Sequence, residues 1–253
     1  MNKLILNFKS KDSKKIKDPK NFLGGKGANL SEMGRMGLPV PPGFTISTKV
    51  CEIFYKDKKK LNSKLISQIK KEIKTIEKDV SKKFGDLKNP LLLSVRSGAR
   101  VSMPGMMDTI LNLGLNDKTV VALANKTSNG RFAKDSYRRF IQMYGNVVMG
   151  VESYNFEELI ENYKLTKGVL LDTDLDEEDW DGLINDFKNV VKEKTNKDFP
   201  QDVYHQLFGA ISAVFLSWES KRAKVYRKLN QIPSDWGTAV NVQSMVFGNM
   251  GND

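Results

Sequence analysis

Across residues 61–84 the apolar side chains Leu65, Ile69, Ile73, Ile76 and Val80 recur three and four positions apart. That spacing puts them on one stripe and predicts an amphipathic α-helix whose outer face carries Lys64, Lys70, Lys71, Lys74, Lys78 and Lys82. Glu72, Glu77 and Asp79 stand at helical spacing from some of these lysines, as on a solvated face. Upstream, a helical pattern opens at Gly24-Gly25-Lys26-Gly27, runs through Leu30, Met33 and Met36, and stops at Gly37. The prolines of residues 38–43 then force an extended turn. Residues 44–47, 91–95 and 109–113 have the apolar or alternating pattern of strands. The pattern is helical over 120–125, 132–149, 156–163, 177–194 and 203–229, and alternates again as a strand over 238–247. The expected class is α+β, a mixed sheet with flanking helices plus an all-helical block. A chain that finishes on a strand and the Gly-rich residues 248–253, with no helix after them, has the look of a cut end.

The 253 residues are 40% hydrophobic and 28% charged, enough apolar mass for one large core or two modest ones, which excludes disorder throughout. No apolar run approaches the roughly 20 residues of a membrane span, and the N-terminus is neither a signal peptide nor an anchor. One cysteine, Cys51, allows no internal disulfide and suits a reducing, cytoplasmic setting. The net charge of +11 is uneven: residues 1–90 hold 22 Lys and Arg against 9 Asp and Glu, whereas residues 91–253 hold 19 against 21. Of those 22 cations only Arg35 is an arginine, although nucleic-acid surfaces usually add arginine for forked phosphate and base contacts. The lysine excess therefore belongs to a solvated surface rather than to a nucleic-acid interface.

Two segments carry candidate chemistry. Gly24-Gly25-Lys26-Gly27 is not a Walker A loop, since Lys20 stands where its first Gly would be and Gly27 where its Ser or Thr would be. Nor is it a dinucleotide fingerprint, since Leu30 replaces the third Gly. What remains is physical: glycines let the backbone approach an anion, and a helix start favours negative charge. The bland alternative is a glycine turn with an exposed lysine. The second segment, residues 94–109, follows a strand with two Arg, three Ser, two Gly and a Thr. Arginine forks, hydroxyls and flexible glycines are the components of a phosphate grip. A structural turn with methionines packed beneath it explains Met103, Met106 and Met107 but not the Arg-Ser-Gly cluster. The acids at 172–181 fail EF-hand spacing, with Glu177 at the sixth position and Leu183 at the twelfth, and fit a helix start instead. His205, the only histidine, has no neighbour with which to build a zinc site or a nucleophile-base pair.

Together these residues resemble the N-terminal ATP-grasp nucleotide-binding domain of the pyruvate phosphate dikinase family. The resemblance rests on residues 22–33, 38–44, 94–115, 131–145 and 238–249. Phosphoenolpyruvate synthases share the Gly-Lys-Gly and Val-Arg-Ser elements but diverge where this chain reads Ser-Met-Pro-Gly-Met-Met-Asp-Thr. The resemblance implies a partial ATP-grasp fold: residues 1–114 and 200–253 as its first α/β subdomain, and 115–199 as a helical insertion. It implies a half-reaction in which ATP and inorganic phosphate give AMP and pyrophosphate while a histidine is phosphorylated; that phosphoryl group then links pyruvate and phosphoenolpyruvate. It assigns Lys26 and Arg96 to the nucleotide phosphates as catalytic and binding groups. The loop with Ser97, Gly98, Ser102 and Gly105 would cover the phosphates, and Gln243, Met245 and Val246 would line the adenine pocket. Mg²⁺ would accompany ATP, with its carboxylate ligands beyond residue 253, as would the phosphohistidine domain that acts as partner. The resemblance further implies a homo-oligomeric full-length enzyme and a fragment inactive alone. The competing readings are a phosphoenolpyruvate synthase-like enzyme and a non-catalytic basic module binding nucleic acid or nucleotide.

Overall fold

A computed structural model describes residues 3–248, so Asn249, the last residue of the resembling segments, and the terminal residues 250–253 lie outside the described part. The chain forms two compact units. The first comprises Met1–Ser81, Leu93–Thr109 and Phe208–Val246; the second comprises Lys82–Leu92, Ile110–Leu207 and Phe247–Asp253. In chain order the elements are β1 (Ile5–Asn7), α1 (Pro19–Arg35), β2 (Gly43–Ile46), α2 (Thr48–Lys56), α3 (Ser63–Val80), β3 (Lys83–Phe84), β4 (Pro90–Leu91), β5 (Leu93–Gly98) and β6 (Thr109–Leu113). Then follow α4 (Thr119–Thr127), α5 (Gly130–Val147), α6 (Tyr154–Lys167), α7 (Glu177–Thr195), α8 (Val203–Ser217), α9 (Lys221–Leu229) and β7 (Ala239–Ser244). Among the described residues no helix is long and apolar enough to cross a membrane.

Local chemistry sets the ends of these elements. In α3 the Asn62 side chain accepts from Leu65 N–H at 3.0 Å, and Leu65, Ile69, Ile73 and Ile76 are buried along the expected stripe. The helix stops four residues short of the expected end: Ser81 turns left-handed at φ +53° and Lys83–Phe84 leave as β3. Of the acids, Glu77 pairs with Lys74 at 3.6 Å within the helix, whereas Glu72 and Asp79 pair with Lys3 and Lys9 outside it. Helix α1 begins five residues before the expected start, with Pro19 as its first residue and Asp18 accepting from Asn21 N–H at 3.0 Å.

In the first unit, strands β1, β2, β7 and β5 lie side by side in that order, and every ladder among them is antiparallel, where a mixed sheet was expected. The C-terminal strand β7 enters between β2 and β5. One register row runs Leu6–Thr45–Asn241–Arg96 across all four strands, and the next runs Gly43–Gln243–Ser94. Directly opposed residues share a face, so both rows look to the same side. Helix α1 covers that side, with Leu23 and Ala28 joining Leu6 and Ile16 in one apolar cluster. The other side carries Phe44, Ile46, Val95, Val240 and Val242, all fully buried. Strand β7 ends at Ser244, so Met245 to Phe247 leave the ladder although the alternating pattern continues through them.

The second unit is built on contacts of α5 with α4 and α7, and of α6 with α7. Its core is aromatic: Phe156 lies 4.8 Å from Phe187, and Phe199 packs edge-on against Tyr137, Phe140 and Tyr144. The acidic run caps α7. Asp176 accepts from Glu178 and Asp179 N–H while Asp179 accepts from Asp176 N–H at 2.8 Å, a reciprocal cap whose two carboxylates also pair with Lys167. The expected single helix 203–229 is two, α8 and α9. In the first unit, Arg227 of α9 donates to Trp218 O and stacks 4.1 Å from the Trp218 ring, while Ser220 caps the new helix. His205 lies exposed on α8.

Candidate functional site

The side of the sheet beneath α1 is where the two sequence-selected segments meet. Gly24 adopts φ +69° and ψ 167°, interrupting α1, and Gly25 N–H donates to Ala99 O at 2.9 Å instead of continuing the helical ladder. A Cβ on Gly24 would sit 1.7 Å from Gly98 O, so at this crossing the two backbones touch, and only glycine permits both the contact and the positive φ. Three residues on, a Cβ on Gly27 would lie 2.7 Å from Thr45 Oγ1 and 3.0 Å from Asn241 Oδ1. The glycines thus lower the first turns of the continuing helix onto the Thr45–Asn241–Arg96 row. This brings Lys26, which is exposed, to the half-buried Arg96.

Two cations are therefore neighbours here. Partial desolvation and then the Arg96 charge lower the Lys26 pKa from its ordinary value. Among the described residues no carboxylate lies within ion-pair distance of Lys26, Arg96 or Arg100. Arg96 Nε, Arg100 Nε and Asn241 Nδ2 are all buried donors without a partner. Leaving a buried donor unpaired costs about 1–3 kcal/mol; Arg138 Nε and Arg227 Nε are unpaired too, but those arginines have carboxylates, so what sets this place apart is unpaired donors on β5 and β7 together with uncompensated cations. Arg100 stacks 5.0 Å from the Trp236 ring.

Beyond β5, residues 99–108 are anchored from below. Met103 is buried with Trp218 and Ala223, and Ala99, Met106, Met107, Tyr226 and Trp236 pack around them. Asp108 pairs with Arg222, and Arg222 Nε donates to Met106 O at 3.2 Å. The loop therefore has a methionine underside in the core and a polar crest, with Ser102 and Gly105 exposed and Gly105 at φ +71°. Both readings of this segment, packed turn and polar loop, describe it at once because different residues carry each.

The structure brings Lys26, Arg96 and Gly98 together and leaves other selected residues apart. Ser97 alternates with Arg96 and opposes Val240, so the pleat turns it to the apolar side of the sheet. Gln243 is on the α1 side, and its Nε2 donates to Pro41 O at 3.0 Å. Met245 and Val246 lie past the end of β7, Val246 at 71% exposure. Thr45 and Asn241 were not selected from the sequence, and Arg100 was counted there among the two arginines of 94–109 without a role of its own. A signal for the first two existed: Thr45-x-Ser47 and Asn241-x-Gln243 place polar residues at alternate positions of strands whose other positions are apolar.

The family described as pyruvate phosphate dikinase, AMP/ATP-binding domain, matches residues 20–71 and 58–251. Pyruvate, phosphate dikinase of Clostridium symbiosum is 56% identical over 233 residues, 92% of this chain and 27% of that protein. The chloroplastic pyruvate, phosphate dikinase of Flaveria pringlei is 54% identical over 250 residues, 99% of this chain and 26% of its own length. The dikinase of Entamoeba histolytica is 52% identical over 236 residues, 92% of this chain and 27% of that protein. The chain spans about a quarter of the length of these relatives. On this match and these identities, the chain belongs to the pyruvate phosphate dikinase family and corresponds to its AMP/ATP-binding domain.

Proposed function

We propose that the α1-covered face of the first unit holds the phosphates of ATP, as one wall of an ATP-grasp site in a pyruvate phosphate dikinase. The observation that carries this reading is the pairing of Lys26 with Arg96 with no carboxylate among the described residues to balance them. Two adjacent cations repel each other, and an anion between them converts that repulsion into attraction on both sides. A nucleotide phosphate chain also supplies acceptors for the Arg96 Nη groups and for Arg100 Nε, which lacks a partner among the described residues. Phosphoryl transfer depends chiefly on positioning and on electrostatic stabilisation of charge spread over the phosphate oxygens. In this reading Lys26 places a point charge and Arg96 a planar fork on that charge, and Ser102 and Gly105 on the loop crest close over it. Gly98 serves by letting α1 approach, not by touching the nucleotide. Gln243, Met245 and Val246 remain proposed for the adenine side, and residues 115–199 for a helical insertion.

The face consists of cations and neutral donors, and among the described residues no group of three or more His, Cys, Asp or Glu is placed to hold a metal ion. These residues do not fit a metal ion; Mg²⁺ enters this reading only as the ion that accompanies ATP. For the whole protein we propose the family half-reaction: ATP and inorganic phosphate yield AMP and pyrophosphate as a histidine of a separate domain takes the phosphoryl group, for later exchange between pyruvate and phosphoenolpyruvate. The chain alone is expected to be inactive. A pyrophosphate-release assay on residues 1–253 tests this, and turnover near that of a complete dikinase would overturn it.

A further inference from the structure

Asn241 lies in the middle of the register row, 1% exposed, between Thr45 on β2 and Arg96 on β5. Its Oδ1 accepts from Thr45 Oγ1 at 2.8 Å. Its Nδ2 reaches to the β5 side, 2.6 Å from where a Cβ on Gly98 would stand, and has no partner; Arg96 Nε on the same strand also has none. Two buried donors thus face one row from neighbouring strands with no acceptor between them. The two ends of a carboxamide have the same shape, so a half-turn about Cβ–Cγ exchanges them without disturbing the packing. After that turn Nδ2 donates to Thr45 Oγ1, a hydroxyl that accepts as readily as it donates, and Oδ1 becomes the acceptor on the β5 side. One rotation gives Nδ2 a partner and turns an acceptor toward the strand that carries Arg96 Nε.

We propose that Asn241 is a positioning residue for Arg96: its Oδ1 accepts from Arg96 Nε–H while its Nδ2 is tethered to Thr45. The side of the Arg96 guanidinium that carries Nε is then fixed to the sheet, and its two Nη groups are left to grip phosphate oxygens. The glycines complete the device. A side chain at Gly98 would strike the amide, and one at Gly27 would strike both Thr45 and Asn241, so the tether needs both positions bare. This inference rests on the reading of Arg96 as a phosphate contact.

The test uses the complete enzyme, with kcat and KM for ATP measured by pyrophosphate release and folding checked by thermal melting. Asn241→Leu keeps the approximate volume and removes the acceptor; it is expected to lose about 10- to 100-fold in kcat/KM, since small misplacement of a phosphate-holding group is enough for that. Asn241→Asp keeps an acceptor for both Arg96 Nε–H and the Thr45 hydroxyl and is expected to restore activity to within about threefold, whereas an amide that donated directly to phosphate would be replaced by a repelling carboxylate. Combining Asn241→Leu with Arg96→Ala should cost little more than Arg96→Ala alone, because a residue acting through Arg96 has nothing left to position. A loss in Asn241→Asp as large as in Asn241→Leu, or single losses that multiply in the double variant, would overturn the proposal. If Arg96→Ala itself costs less than threefold, the phosphate reading fails and the positioning role with it. If Arg96→Ala is severe while Asn241→Leu is silent, only the positioning role fails. Should Asn241→Leu not fold, the Asp variant decides alone.

Discussion

Arg96 in the first unit and Arg138 in the second are both arginines drawn into protein interior, and they end in opposite company. Arg138, 5% exposed, pairs with Asp135, lies 3.8 Å from Asp172, and stacks 4.4 Å from the Trp180 ring. Desolvation lowers its pKa, and the Asp135 charge and hydrogen bond oppose that. Among the described residues Arg96 has no carboxylate partner, and it has Lys26 for a neighbour. The lysines repeat the contrast. Lys134 is desolvated, but its hydrogen bonds with Asp181 and Glu177 prevail and raise its pKa, whereas burial and Arg96 both lower that of Lys26. A charge that brings its own counter-charge is balanced within the fold. One that does not leaves a place for an anion from outside, which is the role proposed for Lys26 and Arg96.

The contrast can be broken at several points. Trp180→Ala removes a fully buried indole and the platform under Arg138; it should cost about 3–5 kcal/mol in denaturant unfolding, and a cost below 1 would show that the paired arginine is not part of the core. Arg96→Ala should lower the rate of the complete enzyme by about 10²- to 10³-fold while changing stability by less than about 1 kcal/mol. A large stability loss with intact rate would place Arg96 in the same class as Arg138. Asn129→Ala removes the acceptor for Phe132 N–H that starts α5 and should cost about 1 kcal/mol without altering nucleotide affinity, as measured by melting and by titration with ATP. The smallest effect concerns the lysines. Only the neutral amine reacts with an acylating reagent, so below pH 10.5 the lowered pKa of Lys26 leaves more of it neutral, and the raised pKa of Lys134 leaves less. At pH 9, peptide mass spectrometry should find Lys26 labelled several-fold faster than Lys134, with ATP slowing Lys26. Equal rates would remove the electrostatic difference between the two sites.

Much of this was legible from local spacing. The buried stripe of α3, the acidic start of α7 and the strand at β2 follow from periodicity and capping, which neighbours a few residues apart decide. Lys26 and Arg96 were legible because each stands beside glycines that let the backbone approach an anion, and Arg96 adds a planar fork that matches phosphate oxygens. Ser97 was misjudged for a reason of the same scale: its composition fitted a phosphate loop, but β5 continues through it and the pleat turns it to the apolar side. The helix expected over 203–229 breaks because buried Arg227 reaches back to Trp218 O, a contact between two turns that periodicity does not register. Residues 82–92 were grouped with the first unit by contiguity, whereas their contacts place them in the second.

What the sequence by itself determined is therefore the longer elements, though not β1 or α2 and not the break between α8 and α9, together with the two cations of the candidate site. Tertiary structure decided which residues share a face and which charges go unpaired. Strand β7 inserts between β2 and β5, bringing Asn241 against Thr45 from 196 positions away and against Arg96 on its other side. Helical spacing and capping act through bonds between near neighbours, so the local sequence encodes them. Strand order and the absence of a counter-charge are settled only when distant segments pack, because they depend on everything that comes near and on what does not.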